Sequence, residues 1–374
     1  MVTRFLKRIF LAIILVSMFL AGCGPASDVT EEAPTAVGGV SEETACDYKG
    51  DLVISTYGGT SEEFSRNYVV PSYNEICPDV TVVYDVGGMS ARLTKLIAQK
   101  DNPEVNLFHS TPEAFYQALN EGLLVEIDQS NIPEMANIPD WAKPEPQYGA
   151  GVNSYAYSLG YDPEFFGDDP PTSWLDLWRS EVQGKVILPA IGHSMMTDFI
   201  IAAAETHGGS MNDVMPGINA IAELKPVSQT FFYTDWIPIW ESGDAVMVVD
   251  FDIYINRYKD EQGGNIEFLI PEEGAFGLIG HWSVVKGTEG KLKFAAETYI
   301  NLLLTKEVQA DNPEGSYIAP VRPDITLSEK WDELLATYGS SLDQVRWTDP
   351  KFKADNRAEW TELMNQIVAP AWGE

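Results

Sequence analysis

The pattern of apolar and polar positions predicts a repeated strand–turn–helix unit in the first part of the chain. Short apolar runs at 52–54, 81–86 and 106–108 are each followed by glycine or serine and then by an amphipathic stretch. In the first unit, residues 51–64, we expect a strand, a glycine turn, and a helix capped by Thr60 with Glu63. Repeated units of this kind favour an α/β fold with a mostly parallel, doubly wound sheet.

The second part of the chain begins with a long extended run at 148–161, which predicts a strand that crosses from one lobe to another. A second crossing is expected at 281–285. The chain is 374 residues long, which is long for one core. We therefore expect lobe 1 at 49–150 plus about 278–320, and lobe 2 at 151–277 plus about 321–374. Four late tryptophans are interpreted as core residues: Trp331, Trp347, Trp360 and Trp372.

In an open α/β sheet, ligands bind outside the carboxyl ends of the strands. The residues at predicted strand ends, crossings and the helices that follow them are therefore candidates for ligand binding. They are Tyr57, Gly58, Gly59, Ser90, Ser110, Thr111, Tyr155, Asp198, Trp236, Asp250, Asp252 and Trp282.

Several of these candidates have a structural alternative. Tyr57 packs in many folds of this class, and Ser90 and Ser110 are also good helix caps. Asp250 and Asp252, two positions apart at the end of a predicted strand, share one face and suit a cationic ligand. The alternative is that both carboxylates hold loop backbone or pair with Arg257.

The first 22 residues predict an export signal. Three basic residues precede an apolar run at 9–20, which is too short to span a bilayer comfortably. The sequence Leu-Ala-Gly-Cys ending at Cys23 looks like a bacterial lipobox, so we expect Cys23 to carry lipid such as palmitate. An exported protein with a free Cys23 is the alternative. Residues 23–48 are polar and read as a flexible tether, which predicts a body anchored to the membrane outside the cytoplasm.

Two cysteines remain if Cys23 is acylated. Cys46 and Cys77 each lie just before a predicted strand, and the starts of parallel neighbouring strands are adjacent. Because an exported protein meets an oxidising environment, we expect a structural disulfide between them. Two free buried thiols are the alternative.

The composition limits the function further. The formal charge is −32, and loss of a signal segment would remove three basic residues and no acidic ones. Such a surface repels nucleic acid and anionic membranes. The four histidines form no HExxH pair, and neither a GxSxG turn nor a phosphate loop is present. The sequence therefore predicts a binding protein without a cofactor or a metal, and not an enzyme.

Several segments, in this order, resemble a known family: LVISTYGGTSEEF, LFHSTPEAFYQALNEGLLVEID, YSLGYDPEFF, PTSWLDLW, GKVILP, WESGDAVMVVDFD and EFLIPEEGAFG. Together they are similar to extracellular solute-binding proteins of bacterial ABC importers, in the spermidine/putrescine-type branch. The resemblance implies a two-lobed, periplasmic-binding-protein-like clamp with two crossover strands, which binds a small solute as a monomer and docks on a membrane permease.

By the same resemblance, Tyr57 takes the place of the aromatic residue at the first turn of polyamine-binding members, and Ser110 that of their serine. This chain has Asp250-Phe251-Asp252 where such members often have Trp-Asn-Gly. We expect a cationic or amine-bearing solute. The alternatives are an amino acid, a carboxylate, ferric iron held by Tyr155 and Tyr157, or a tethered sensor that is not coupled to transport.

Overall fold

The protein is described by a computed structural model that covers residues 46–231 and 235–373. The expected signal segment, the lipobox with Cys23 and most of the expected tether lie outside the described residues. The described residues belong to one compact unit.

Eleven strands of the described residues form one mixed sheet. They are β1 (Gly50–Thr56), β2 (Val80–Val86), β3 (Leu107–Ser110), β4 (Ala150–Tyr161), β5 (Val186–Pro189), β6 (Pro226–Thr230), β7 (Met247–Phe251), β8 (Glu267–Leu269), β9 (Ala275–Val284), β10 (Ala319–Pro320) and β11 (Val345–Arg346).

The sheet consists of two parallel halves joined by an antiparallel pair. The strand order is β2-β1-β3-β9-β4-β7-β5-β6. Strands β2, β1 and β3 are parallel, as are β7, β5 and β6, whereas β9 and β4 run antiparallel to each other and to their neighbours β3 and β7. The expected α/β fold of two lobes with two crossing strands is confirmed.

Fourteen α-helices of the described residues flank this sheet. They are α1 (Thr60–Phe64), α2 (Val70–Ile76), α3 (Met89–Ala98), α4 (Pro112–Asn120), α5 (Pro163–Phe166), α6 (Met196–Thr206), α7 (Met215–Glu223), α8 (Ile237–Glu241), α9 (Asp252–Gln262), α10 (Gly290–Leu303), α11 (Lys306–Ser316), α12 (Glu329–Leu334), α13 (Pro350–Leu363) and α14 (Ala369–Trp372).

Two local predictions were wrong. Helix α1 has Gly59 as its N-cap, at φ 63°, and Thr60 is its first residue, so the expected capping box is absent there. A positive φ suits glycine, which explains why glycine precedes the helix. Trp347 is 42% exposed and is not a core residue.

Two large hydrophobic cores stabilise the two halves of the sheet. One contains Leu52, Ile54 and Val284 from the half with β1, together with the inner face of α10. The other contains Tyr157, Leu188 and much of α6. A disulfide joins Cys46 and Cys77 beside the first core, where β1 and β2 start as parallel neighbours.

A buried ion pair attaches helix α13, near the end of the chain, to α6. Both oxygens of Asp198 accept hydrogen bonds from Lys353 Nζ, at 2.7 and 2.9 Å, and Thr348 donates to the same carboxylate at 3.2 Å. The side chains of Asp198 and Lys353 are 0% and 5% exposed. Removing one partner leaves the other charge buried without compensation.

We therefore expect Lys353→Met to lower the free energy of unfolding by about 3–5 kcal/mol, since it strands the Asp198 carboxylate. Urea unfolding of the variant and the wild type measures this. Lys351→Met is the control, because its pair with Asp355 is half-exposed and surface pairs contribute about 0–1 kcal/mol. Equal losses in the two variants would contradict the buried pair's importance.

Candidate ligand-binding site

A cavity of about 610 Å³ lies where the carboxyl ends of strands from both halves of the sheet meet. This volume is within the usual range for small-molecule sites. Its lining is mostly apolar and aromatic. The lining residues are Tyr57, Gly58, Ser61, Val86, Gly87, Gly88, Met89, Ser90, Ala91, His109, Thr111, Asn153, Tyr155, His193, Ser194, Phe231, Asp250, Phe251, Ile253, Tyr254 and Ile318.

The first wall of the cavity follows the ends of β1, β2 and β3. Tyr57 comes directly after β1, and its hydroxyl donates to Met89 Sδ at 3.3 Å. Gly87 and Gly88 follow β2, and Gly88 is the N-cap of α3. Thr111 follows β3 and caps α4 by accepting from Ala114 N. Each strand end therefore delivers a helix start to the cavity.

Arg92 lies buried behind this wall. Its guanidinium donates to the carbonyl oxygens of Gly87, Ser55 and His109, at 2.8, 3.1 and 2.7 Å. The Cζ atom lies 4.3 Å from the centre of the Tyr57 ring. Burial lowers the pKa of Arg92, but an arginine stays protonated in proteins. The wall is thus supported by a positive charge that is not itself part of the lining.

His109 connects this wall to the central strand pair. Its ring stacks on Trp282 at 4.7 Å and meets the edge of Tyr57 at 5.0 Å. Its Nδ1 hydrogen-bonds Thr56 Oγ1 at 3.0 Å. Burial, with the nearby charge of Arg92, holds the pKa of His109 well below its usual range. His109 is therefore a neutral, rigid part of the lining.

Asn153 projects from β4 beside His109. The β4–β9 register shifts between Gly151 and Asn153, and such a bulge re-aims a side chain. Asn153 is 8% exposed, and its Oδ1 has no hydrogen-bond partner among the described residues. Oδ1 lies over Gly280, where a Cβ atom would be only 2.1 Å from it. The position of the amide therefore requires glycine on the facing strand.

The second wall carries one carboxylate, Asp250, at the end of β7. Its Oδ2 accepts from Trp236 Nε1 at 2.7 Å, and its Oδ1 accepts from Phe251 N at 2.8 Å. Burial raises the pKa of Asp250 to about 7, and these two hydrogen bonds oppose the rise. Burial beside Arg357 lowers the pKa of His193, on the same wall, to about 4. Asp250 is therefore the one carboxyl group of the described lining, and without a ligand it is about half ionised near pH 7.

Six of the twelve sequence candidates line the cavity. These are Tyr57, Gly58, Ser90, Thr111, Tyr155 and Asp250. The other six lie outside the lining, namely Gly59, Ser110, Asp198, Trp236, Asp252 and Trp282. Gly59 caps α1, and Asp198 belongs to the buried ion pair with Lys353.

The expectation that Asp250 and Asp252 share one face was wrong. Strand β7 ends at Phe251, and Asp252 is the first residue of α9, so the two side chains diverge. Asp252 Oδ1 accepts from the backbone N–H groups of Ala156 and Ile253, and Oδ2 accepts from that of Ala336. Asp252 therefore joins α9 to β4 and to the C-terminal segment.

The two tryptophan candidates and Ser110 act behind the lining. Trp236 is fully buried and reaches the site only through its hydrogen bond to Asp250. Trp282 is 5% exposed and supports His109 from beneath. Ser110 is fully buried on β3. Each lies close to a cavity residue in sequence or in space, but none reaches the cavity itself.

Sequence reasoning missed several lining residues, among them His109, Asn153, Ser194, Phe231 and Tyr254. His109 had a visible signal, because it lies at a predicted strand end next to Ser110 and Thr111. Asn153 had none, since its orientation depends on a bulge in the middle of a long strand.

Two features are absent from residues 46–231 and 235–373. No group of three or more His, Cys, Asp or Glu side chains there could hold a metal ion. No helix in these ranges has the length and apolar character needed to cross a membrane.

The fold and the cavity together define a two-lobed clamp for a small molecule. The chain belongs to the bacterial extracellular solute-binding protein family, whose pattern matches residues 69–337. Members of this family bind solutes and are not enzymes, so the prediction of a binding role is confirmed at this level. The comparisons support the family and not its spermidine/putrescine branch.

Three relatives illustrate the similarity. A Salmonella typhimurium protein, provisionally named a 2-aminoethylphosphonate-binding periplasmic protein, is 24% identical over 264 residues, covering 67% of this chain and 72% of that protein. A crystal structure of an ABC transporter from Clostridium perfringens has a TM-score of 0.70 at 24% identity, covering 85% of this chain and 99% of the other. A periplasmic binding protein of A. tumefaciens B6 in complex with glucopine has a TM-score of 0.72 at 17% identity, covering 85% and 99%.

Because the pKa of Asp250 is raised, the free energy of unfolding of the ligand-free protein should depend on pH. The folded-state pKa of about 7 exceeds the ordinary value of 3.8. The protonated carboxyl therefore stabilises the fold at low pH, and this stability is lost as the pH rises from about 4 to about 7, by up to about 1.4 kcal/mol per pH unit.

Asp250→Asn removes this pH dependence, so its free energy of unfolding should rise relative to wild type between about pH 4 and about pH 8. Urea unfolding across this range measures the difference. Asp244→Asn, at an exposed position, is the control and should track wild type. A pH-independent difference for Asp250→Asn would show that its pKa is not raised.

Proposed function

We propose that this chain captures a small amine-bearing solute, polyamine-like in carrying ammonium groups, and delivers it to an ABC permease. The observation that carries the proposal is the position of Asp250. Of the described residues that line the cavity, it is the one with a carboxyl group, and an ammonium group bound beside it would favour the ionised form of that carboxyl. No lysine or arginine is among those lining residues. A cationic group would therefore meet attraction and no repulsion there.

The aromatic lining supports the same class of solute. Tyr57, Tyr155, Phe251 and Tyr254 line the cavity, and Tyr155 and Phe251 meet edge to face at 5.3 Å. Aromatic faces attract ammonium groups, with about 0.5–2 kcal/mol for each contact. The name of the Salmonella relative also refers to a ligand with an amino group. An ammonium group beside Asp250 would thus be held by charge and by aromatic faces together.

Closure of the clamp would occur about the two crossing strands. We place lobe 1 at 49–150 plus about 278–320, lobe 2 at 151–277 plus about 321–374, and the hinges near 151–158 and 280–284. With these boundaries, Glu113 of lobe 1 bonds Arg357 Nη1 and Thr197 Oγ1 of lobe 2, each at 2.7 Å. Ser90 Oγ donates to Gly192 O at 3.2 Å. These contacts support a clamp whose lobes touch beside the cavity.

The body would work outside the cytoplasm as a monomer held by lipid at Cys23. The tether of residues 23–48 is rich in glycine, proline and small polar residues, which suits a flexible spacer. The lipid would be its only attachment to the membrane, since a strongly acidic surface is repelled by anionic headgroups.

The amine proposal predicts the effects of two neighbouring substitutions. Asp250→Asn should weaken the binding of n-butylamine to the mature protein by about tenfold or more, since it removes a charge-assisted hydrogen bond. Asp252→Asn is the matched control. It should keep the amine affinity but lower the melting temperature, since its new NH₂ group faces a backbone N–H.

Isothermal titration calorimetry measures the affinities, and thermal unfolding measures the stabilities. Butanoate is the matched anionic probe. Tighter binding of butanoate than of n-butylamine by the wild type would refute the proposed function. Unchanged amine affinity in Asp250→Asn would refute the role of that carboxylate.

The lipid anchor predicts that Cys23→Ala shifts the protein from the membrane fraction to the soluble extracytoplasmic fraction of the producing bacterium and abolishes labelling by palmitate. Cell fractionation with immunoblotting checks this. Cys46→Ala is the control and should keep both the label and the membrane association. Equal labelling of wild type and Cys23→Ala would contradict the anchor.

A further inference from the structure

Two largely exposed apolar side chains mark the opening of the cavity. Val86 ends β2 and Phe231 directly follows β6, and these strands stand at opposite ends of the strand order. Val86 is 49% exposed and Phe231 is 53% exposed, and both line the cavity. Exposed apolar groups that border a cleft are typical of a surface that a ligand covers. An apolar part of the bound solute therefore suits this opening.

The carboxyl group of the lining lies deeper in the cavity. Asp250 and Tyr155 are each only 7% exposed. Each oxygen of Asp250 already accepts one hydrogen bond, from Trp236 Nε1 or from Phe251 N. A carboxylate has about four acceptor positions, so Asp250 keeps the capacity to accept N–H groups from one ammonium. The cavity is thus polar inside and apolar at its opening.

Aromatic rings line both walls of the cavity. Phe251 meets the rings of Tyr155 and Tyr254 edge to face, with ring centres 5.3 and 5.9 Å apart. Tyr57 and His109 form a similar pair on the first wall, at 5.0 Å. All five residues line the cavity. They offer apolar ring surface to the body of a solute, and a ring in the solute would pack on them as these rings pack on one another.

A second ammonium group on the solute would lack a counter-charge. Asp250 is the one carboxyl group of the described lining. Burial lowers the pKa of His109 and of His193, so both are neutral and neither attracts a cation. The far end of a diamine held at Asp250 would meet Val86 and Phe231, which are apolar. Because an ammonium is costly to move from water to apolar surroundings without a partner, this lining disfavours diamines.

We propose that the solute is a hydrophobic monoamine, with its one ammonium group at Asp250 and an apolar body that ends between Val86 and Phe231. The inference rests on the proposed function for the ammonium group, and it narrows the class by excluding polyamines as the preferred solutes. The chemical class is that of arylalkylamines and longer alkylamines. Val86 and Phe231 are specificity-determining residues, since they meet the end of the solute at which a polyamine carries its second charge.

Calorimetry of the mature protein with matched probes tests the class. Each α,ω-diamine of three to six carbons is paired with the alkylamine in which a methyl group replaces the second ammonium, as n-pentylamine is paired with 1,4-diaminobutane. We expect the best alkylamine to bind at least about tenfold more tightly than its paired diamine. A diamine that binds as tightly as the best alkylamine would overturn the proposal.

The apolar body is tested by 2-phenylethylamine and ethylamine, which differ by the ring. Each buried methylene-sized group contributes about fourfold in affinity. We therefore expect 2-phenylethylamine to bind at least about tenfold more tightly than ethylamine. Equal affinities, or no measurable binding of 2-phenylethylamine, would overturn the proposal.

Phe231→Ala tests the apolar contact at the opening. It should weaken the binding of 2-phenylethylamine by about fivefold and leave that of ethylamine unchanged. Val227→Ala is the matched control, because it shortens another exposed apolar side chain, on β6 and outside the lining, and should change neither affinity. Thermal unfolding checks that both variants fold. Unchanged binding of 2-phenylethylamine by Phe231→Ala would overturn the placement of the apolar end.

Val86→Asp adds the second carboxylate that a diamine needs. The new charge is half-exposed, so we expect the affinity for the best diamine to rise by about threefold to fivefold relative to its paired alkylamine. Val83→Asp adds the same charge to an exposed position of β2 outside the lining, and should leave this ratio unchanged. The same ratio in Val86→Asp as in the wild type would overturn the role of Val86.

Failure of this inference is distinguishable from failure of the proposed function. If diamines bind as tightly as alkylamines and lose affinity in Asp250→Asn, the amine site stands and the monoamine class falls. In 3-phenylpropanoate, a carboxylate replaces the ammonium of 2-phenylethylamine. If 3-phenylpropanoate binds more tightly than 2-phenylethylamine, the amine site itself falls.

Discussion

The pairing of β4 with β9 is the constraint on which the structure depends. These two long antiparallel strands hold together two parallel half-sheets that have separate hydrophobic cores. The carboxyl ends of both half-sheets meet beside this pair, so loops that are distant in sequence surround one cavity. The same pair also supplies lining from its middle, through Asn153 and Tyr155. A local irregularity in the pairing thus becomes a feature of the ligand site.

The charges of the cavity differ from those of the surface. Acidic residues exceed basic ones by 32 in the whole chain, yet the described lining contains one acidic side chain and the histidines beside it are neutral. Water screens surface charges from one another, whereas a buried charge keeps most of its field. The buried carboxyl of Asp250 would therefore act more strongly on a solute in the cavity than the large surface total would.

Much of the fold could be predicted from the sequence, and about half of the candidate site residues lie at the cavity. The apolar runs marked the strands because parallel strands are buried on both faces. The strand ends then pointed to Tyr57, Ser90 and Asp250. The failures have a common physical origin in short-range geometry. A single residue of difference in where β7 ends turns Asp252 from the cavity to the backbone of β4, and period-two reasoning cannot detect that change.

The position of Asn153 in the cavity lining also could not be predicted from the sequence. A polar residue inside a long strand of small and aromatic residues gives no sign of which face it occupies once the register has shifted. Trp236 and Trp282 illustrate a further limit, since both lie directly behind lining residues. The sequence indicated that both tryptophans lie near the cavity. It did not show that another side chain lies between each tryptophan and the cavity.

The disulfide between Cys46 and Cys77 has a mechanical consequence. Cys46 lies just before the edge pair formed by β1 and β2. Hydrogen bonds at such a position open one after another when a chain end is pulled. The covalent link instead passes tension directly from Cys46 to the chain beyond α2, so a force applied from the N-terminal side bypasses β1. The strand that carries Tyr57 to the cavity is thereby shielded from traction on the chain.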